Sequence, residues 1–206
     1  NVLGADGKMM RSRAGDSVKL SDLLDESIER AEAAIAEKNP ELAADERAKV
    51  AEMVGIGALK YFDLSTDRIK DYQFDWDRML AFEGSTGPYL QYAHARICSV
   101  FRRAGIERAS VRQVPIALVE PQERALALRL LAYPTTVKAT LDTYSPHRLC
   151  TYVYELASDF SSFYQGCPIL KSEEAVRDSR LALADLTARV LAHSLGLLGI
   201  AAPEAM

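Results

Sequence analysis

Tyr89, Tyr92 and Arg96 are spaced three and four residues apart, which brings two aromatic rings and a guanidinium to one face of a helix. Rings beside a guanidinium can stack on unpaired bases and hold a phosphate, the usual way of reading a single-stranded loop. The same spacing can line a core instead, and taken alone it favours packing. Gln91 and His94 on the same stretch could hydrogen-bond to a ligand or stand on a solvated surface. A second candidate is the cationic run Lys8-Met9-Met10-Arg11-Ser12. It lies between two turn-forming stretches, Gly4-Ala5-Asp6-Gly7 and Ala14-Gly15-Asp16, as a loop that can meet nucleotide phosphates.

Other chemistry finds little support. The histidines occur as Ala93-His94-Ala95, Pro146-His147-Arg148 and Ala192-His193-Ser194, with no second ligand at metal spacing. Asp75 with Asp77, and Asp22 with Asp25, lack a third carboxylate and read as solvated acidic faces. Cys98, Cys150 and Cys167 never form C-x-x-C, and Cys167 has no pairing histidine, so reduced, buried thiols are expected rather than a zinc site or a nucleophile. No P-loop or G-x-G-x-x-G is present.

With 206 residues, 49% of them hydrophobic, the chain can bury a substantial core. No run approaches the roughly 18 apolar residues of a membrane span, so a cytoplasmic protein without membrane contact is expected. The chain starts at Asn1 with no signal-peptide pattern, which suggests processing or truncation. A net charge of −4 weighs against nucleic acid, since phosphate binding draws on a Lys/Arg surplus. The charges are uneven, however. Residues 1–88 hold 12 Lys+Arg against 18 Asp+Glu, and residues 89–206 hold 13 against 11, so any RNA-facing part belongs in the second stretch.

Helical patterns supply the framework for these residues. Ser21 reads as an N-cap ahead of Leu24, Ile28, Ala31 and Ile35, and Asn39-Pro40 stops that helix. A second helix covers about 45–62, with Val50, Val54, Ala58 and Phe62 near one face, and Gly55 and Gly57 mark close packing or a break. Residues 63–84 are irregular and hold Trp76, expected to pack between domains, with the domain junction at their end. Thr86-Gly87-Pro88 starts a helix that Gly105 ends. After a connector at 106–120, helices follow from Pro121 to Leu131 and from Tyr133-Pro134 to about Tyr144. Ser145-Pro146 caps the next, with Leu149, Tyr152, Leu156, Phe160 and Phe163 as its seam. Leu181, Ala184, Ala188, Leu191, Leu195 and Leu198 form the last seam, ending at Gly199. The second half is therefore a bundle of about five helices.

The run Phe82-Glu83-Gly84-Ser85-Thr86-Gly87-Pro88-Tyr89-Leu90-Gln91-Tyr92-Ala93-His94-Ala95-Arg96 resembles a signature segment of arginyl-tRNA synthetases. Gly57-Ala58-Leu59-Lys60-Tyr61-Phe62-Asp63-Leu64, Phe160-Ser161-Ser162-Phe163-Tyr164 and Cys167-Pro168 are similar to further segments in the same order. The resemblance implies a mainly α fold: a helical-bundle anticodon-binding domain at 89–206, preceded at 1–88 by the C-terminal edge of a class I Rossmann-type catalytic domain.

It also implies roles. Lys8, Met9, Arg11 and Ser12 match the KMSKS-like ATP loop, with Lys8 and Arg11 as catalytic cations and Met10 standing where the pattern has Ser. When a carboxylate attacks the α-phosphate of ATP, charge accumulates on departing pyrophosphate, and such cations stabilise it. Tyr89, Tyr92, Arg96, Tyr164 and Met206 match positions that handle the tRNA anticodon, although Ala205 replaces a usually basic residue.

The implied parent enzyme is an arginine-tRNA ligase using ATP with Mg, L-arginine and arginine tRNA, and it is expected to be monomeric. With no HIGH-like motif in the sequence, these 206 residues are not expected to activate an amino acid alone. The rival readings are a stand-alone tRNA-binding or regulatory paralogue and an RNA-independent helical interaction module.

Overall fold

A computed structural model describes residues 2–4 and 19–206. The Lys8, Met9, Arg11 and Ser12 loop lies outside the described residues. Two short strands, β1 (Val2–Leu3) and β2 (Tyr72–Gln73), pair in parallel. The rest of the described chain is helical or connecting. The helices are α1 (Leu20–Lys38), α2 (Ala44–Ser65), α3 (Trp76–Leu80), α4 (Gly87–Ala104), α5 (Pro121–Leu131), α6 (Tyr133–Thr143), α7 (Pro146–Gly166) and α8 (Glu174–Leu197). A single 3-10 turn, Arg108–Val111, punctuates the connector after α4. The mainly α architecture and the five-helix second half are as the sequence implies.

Local signals explain most boundaries. The Thr86 hydroxyl accepts from the Tyr89 N–H at 3.2 Å, Pro88 occupies the first turn, and Gly105 ends α4 at φ 64°. Two expected side-chain caps are absent. Lys19 takes the N-cap position of α1, while Ser21 lies inside the first turn and bonds Asp22. Ser145 takes the N-cap position of α7 as expected, but its hydroxyl donates to the Thr143 carbonyl and makes no side-chain cap.

Two apolar clusters form, and α2 serves both. Ala31 and Ile35 of α1 meet Val50, Ala51 and Val54 of α2 in the smaller one. The larger joins α4, α5, α7 and α8, and Tyr61 enters it from α2. Phe62, the sequence-expected core residue, turns away toward Tyr72 and Phe74, with centroids 5.3 and 6.0 Å distant. The reason is helical geometry: eleven residues return to within about 20° of the starting direction, so Tyr61, not Phe62, follows Val50. Tyr61 then donates to the Cys150 carbonyl at 3.1 Å and meets the Ser85 hydroxyl at 2.9 Å, so packing continues across residue 88.

Gly55 and Gly57 mark close packing, not a break. A methyl at Gly55 would lie 2.6 Å from the Ser27 carbonyl oxygen of α1. One at Gly87 would lie 2.8 Å from the Gly57 oxygen, so α2 and the start of α4 touch backbone to backbone. Trp76 packs edge-on to Phe74 and beneath Arg30 of α1, whose guanidinium lies 5.0 Å from the ring. The seams expected on α7 and α8 are both buried. Polar ties join the bundle: Glu123, 1% exposed, pairs with Arg180 at 2.6 Å. The equally buried Asp185 carboxylate meets Arg108, Arg189 and Arg112 at 2.9, 2.9 and 3.5 Å.

Candidate nucleic-acid interface

One helix, α4, holds the site together through two different faces. Gln91, His94, Cys98 and Arg102 recur at three, four and four, on the face that grips the chain's last residues. Gly199, at φ 69°, releases the chain from α8, and the tail then crosses α4. Gln91 Nε2 donates to the Ala201 carbonyl at 2.9 Å and, equally, to Met53 of α2. His94 Nδ1 donates to the Pro203 carbonyl at 2.9 Å, and Arg102 donates to the Glu204 carbonyl at 2.8 Å. Asn39, just past α1, donates to the Met206 carbonyl at 3.3 Å. Four side chains thus hold a segment that has no secondary structure of its own.

Gln91 and His94 are fully or nearly fully buried, so neither belongs to a solvated surface. Burial lowers the His94 pKa below its usual range, which keeps the ring neutral. With Nδ1 carrying the proton toward Pro203, Nε2 is left to face Cys98 Sγ at 3.8 Å. Desolvation raises all three thiols, Cys150 to about 12, consistent with unreactive core cysteines.

The other face of α4 carries Tyr92, Arg96, Ser99 and Arg103, spaced four, three and four. Arg96 lies between two rings, its guanidinium carbon 5.0 Å from the Tyr92 centroid and 5.4 Å from that of Tyr164 on α7. Its Nη2 also donates to the Tyr92 hydroxyl at 3.4 Å. Phe160 backs Tyr164 at 6.0 Å. Tyr92 is 38% exposed, a large share for an aromatic ring in a structured helix. Tyr89 sits one turn back and is half-buried, against Tyr154 with its hydroxyl 3.3 Å from that of Ser161. It packs against the larger core and does not line the adjoining pocket.

That pocket is a cleft of about 470 Å³ between the end of α1, Phe82, Tyr92 and the tail. Ile35, Lys38, Asn39 and Met206 complete its wall, and the Lys38 ammonium lies 5.0 Å from the Phe82 ring. Its size falls in the range of small-ligand sites, and its walls carry two aromatic rings and a thioether with a cation at the rim. The structure therefore brings Tyr92, Arg96, Tyr164 and Met206 together. Sequence reading missed Lys38, Asn39 and Arg102, and it read Gln91 and His94 as able to hydrogen-bond without the tail they hold. Polar side chains at regular spacing on a largely apolar helix were the available signal.

Asp75 caps α3 by accepting from the Arg78 N–H at 3.1 Å, and Asp22 and Asp25 are exposed on α1. No group of three or more potential ligands for a metal occurs among the described residues, and none of the described helices is long and apolar enough to cross a membrane.

The class of this helical bundle is given by comparison with known proteins. Residues 90–206, more than half of the chain, match the DALR anticodon binding domain, and the chain belongs to that family. Residues 1–76 match the catalytic domain of class I tRNA synthetases for arginine.

The chain is similar to arginine-tRNA ligases from Thermobifida fusca, at 54% identity, and Klebsiella pneumoniae strain 342, at 52%. Each similarity covers 100% of this chain and 36% of the relative. Among solved structures, Thermus thermophilus arginyl-tRNA synthetase superposes with a TM-score of 0.89 at 36% identity, over 100% of this chain and 34% of the other. The Plasmodium falciparum arginyl-tRNA synthetase gives 0.84 at 32% identity, over 92% and 34%. The chain spans about a third of the length of these relatives. The kinship with arginyl-tRNA synthetases implied by the signature segments is thereby established.

Proposed function

We propose that this chain is the tRNA-recognising part of an arginine-tRNA ligase, joining L-arginine to arginine tRNA with conversion of ATP to AMP and pyrophosphate. The observation that carries the reading is the Tyr92, Arg96 and Tyr164 stack opening onto the Met206 pocket. An unpaired anticodon base enters between Tyr92 and Met206, while Arg96 meets the adjoining phosphate and Tyr164 holds Arg96 in place. Tyr89, half-buried one turn back on α4, completes the tRNA-facing set. The division is 1–88 for the catalytic edge and 89–206 for the anticodon-binding bundle.

Lys8 and Arg11, with Met9 and Ser12 beside them, belong in this reading to the ATP loop of the whole enzyme. There the arginine carboxylate attacks the α-phosphate and pyrophosphate leaves, and the two cations stabilise its growing charge. Mg accompanies ATP as part of that substrate. The protein acts as a monomer in the cytoplasm. Similarity across the full chain, including residues 1–76, favours this reading over a stand-alone RNA-binding paralogue.

The experiment is a gel-shift titration of the chain with arginine tRNA and with an unrelated tRNA. Tighter binding of arginine tRNA is expected, and equal affinity for the two would refute recognition.

A further inference from the structure

Beyond the Tyr92 pocket, the open face of α4 continues to Arg103, seven residues after Arg96 and thus about 10 Å further along the helix. A second groove of about 290 Å³ begins there, between α4 and the turn that follows α7. Tyr164, whose ring stands against Arg96, lines it, so one side chain borders both the Arg96 stack and the groove. Its floor is apolar, with Val100 and Ile169 buried and Leu170 half-buried, and two cations, Arg103 and Lys171, stand at its edge. Neither cation has a hydrogen bond or ion-pair partner among the described residues. Other arginines of the bundle are engaged: Arg102 with the tail, Arg108 with Asp185, Arg129 with Asp159 and Arg180 with Glu123. Both α4 and α7 end nearby, each contributing about half a negative charge, so two full cations leave the groove positive by about one charge.

Resting on the RNA-recognition reading above, we propose that this groove is a second nucleotide subsite. It takes the nucleotide next to the one in the Tyr92 pocket, lays its base on the apolar floor beside Tyr164, and binds its flanking phosphates through Arg103 and Lys171. Tyr164, between Arg96 and the groove, makes the two subsites neighbours along one strand. A positive edge above an apolar floor is the combination that single-stranded RNA requires, a phosphate backbone on one side and a stacked base on the other.

The test is a titration of the chain with an arginine tRNA transcript over a range of salt. It compares the parent with Arg103→Gln/Lys171→Gln, with Tyr92→Ala, and with Lys49→Gln/Arg124→Gln as a charge control on unpartnered, exposed cations elsewhere. Each phosphate contact to a single strand contributes about 0.7 to the slope of log affinity against log salt. Losing two therefore flattens the slope by about 1.4 and weakens binding about 25-fold at 0.1 M salt. Tyr92→Ala is expected to weaken binding with little change in slope, and the charge control to behave as the parent.

If the Arg103/Lys171 variant keeps the parent's affinity and slope while Tyr92→Ala still weakens binding, the subsite is wrong and the recognition reading stands. An equal loss in the charge control would mean a diffuse field and also overturn the subsite. No binding by the parent chain would overturn both.

Discussion

Replacing Gly57 by Ala puts a methyl 2.8 Å from Gln91 Nε2, 3.1 Å from its Oε1 and 3.1 Å from Ile200 Cγ2. All three atoms belong to the bracket that holds the tail against α4. The Gln91 amide must shift, which disturbs both of its hydrogen bonds together. The Met53 carbonyl keeps a partner in the ladder of α2, but the Ala201 carbonyl loses the only one recorded for it among the described residues. Ala201 is exposed, so water can replace Gln91 at its carbonyl, and the cost is the net worth of the two lost hydrogen bonds, about 0.5–1.5 kcal/mol each. At about 2–4 °C per kcal/mol for a chain of this size, a loss of about 2 kcal/mol in all lowers the unfolding midpoint by about 4–8 °C.

The helix-propensity gain of Ala over Gly, about 1 kcal/mol, offsets part of this, so Gly57→Ala is expected to be milder than Gln91→Ala. Thermal unfolding followed by circular dichroism measures both, and the double variant completes a cycle. Because the methyl acts through Gln91, the double variant should be no less stable than Gln91→Ala alone. Additive losses, or a Gln91→Ala change below about 0.5 kcal/mol, would refute the bracket.

Two other outcomes follow from the buried charges. His94 has a folded-state pKa below its unfolded value because burial disfavours the cation, so its contribution is full above about pH 6.5 and is lost as pH falls toward the folded value. A His94→Gln variant should flatten that part of the stability profile, and an unchanged profile would remove His94 as its source. Burial raises the Glu123 pKa, but N–H groups of Glu120 and Val119 and the Arg180 guanidinium outweigh it and hold the carboxyl below its usual range. Glu123→Ala strands Arg180 at 8% side-chain exposure and should cost about 3–5 kcal/mol by urea unfolding; a loss under 1 kcal/mol would contradict the pair's role.

Much of this architecture is legible in the sequence because local rules and tertiary packing agree. Thr86, Pro88 and Gly105 frame α4 with the residues its ends require, and the seams of α7 and α8 bury as their spacing implies. Phe62 misled because a face read at steps of four drifts off the helix's true period. Ser21 and Ser145 misled because a hydroxyl able to cap can also bond a nearby side chain or carbonyl. At the site, Tyr92 and Arg96 were visible as neighbours on one face. Their separation from Gln91 and His94 was not, because polar residues on adjacent faces of one helix look alike until the tail is folded across it. Lys38 and Asn39 reach the pocket only through the packing of α1 on α2, a long-range arrangement with no local signature.

The most direct measurement of the central claim compares arginine tRNA binding by the parent chain and by Tyr92→Ala. Loss of one aromatic stacking platform is worth about 1–3 kcal/mol, or about 5- to 150-fold in affinity. Tyr92 also stacks on Arg96, so its loss should cost about 0.5–1 kcal/mol of stability, or about 1–4 °C in the unfolding midpoint, and leave the chain folded. Weaker binding by a chain that is still folded is the predicted result. Unchanged affinity, or a loss of stability without a loss of affinity, would mean that Tyr92 serves packing and that the anticodon loop is read elsewhere.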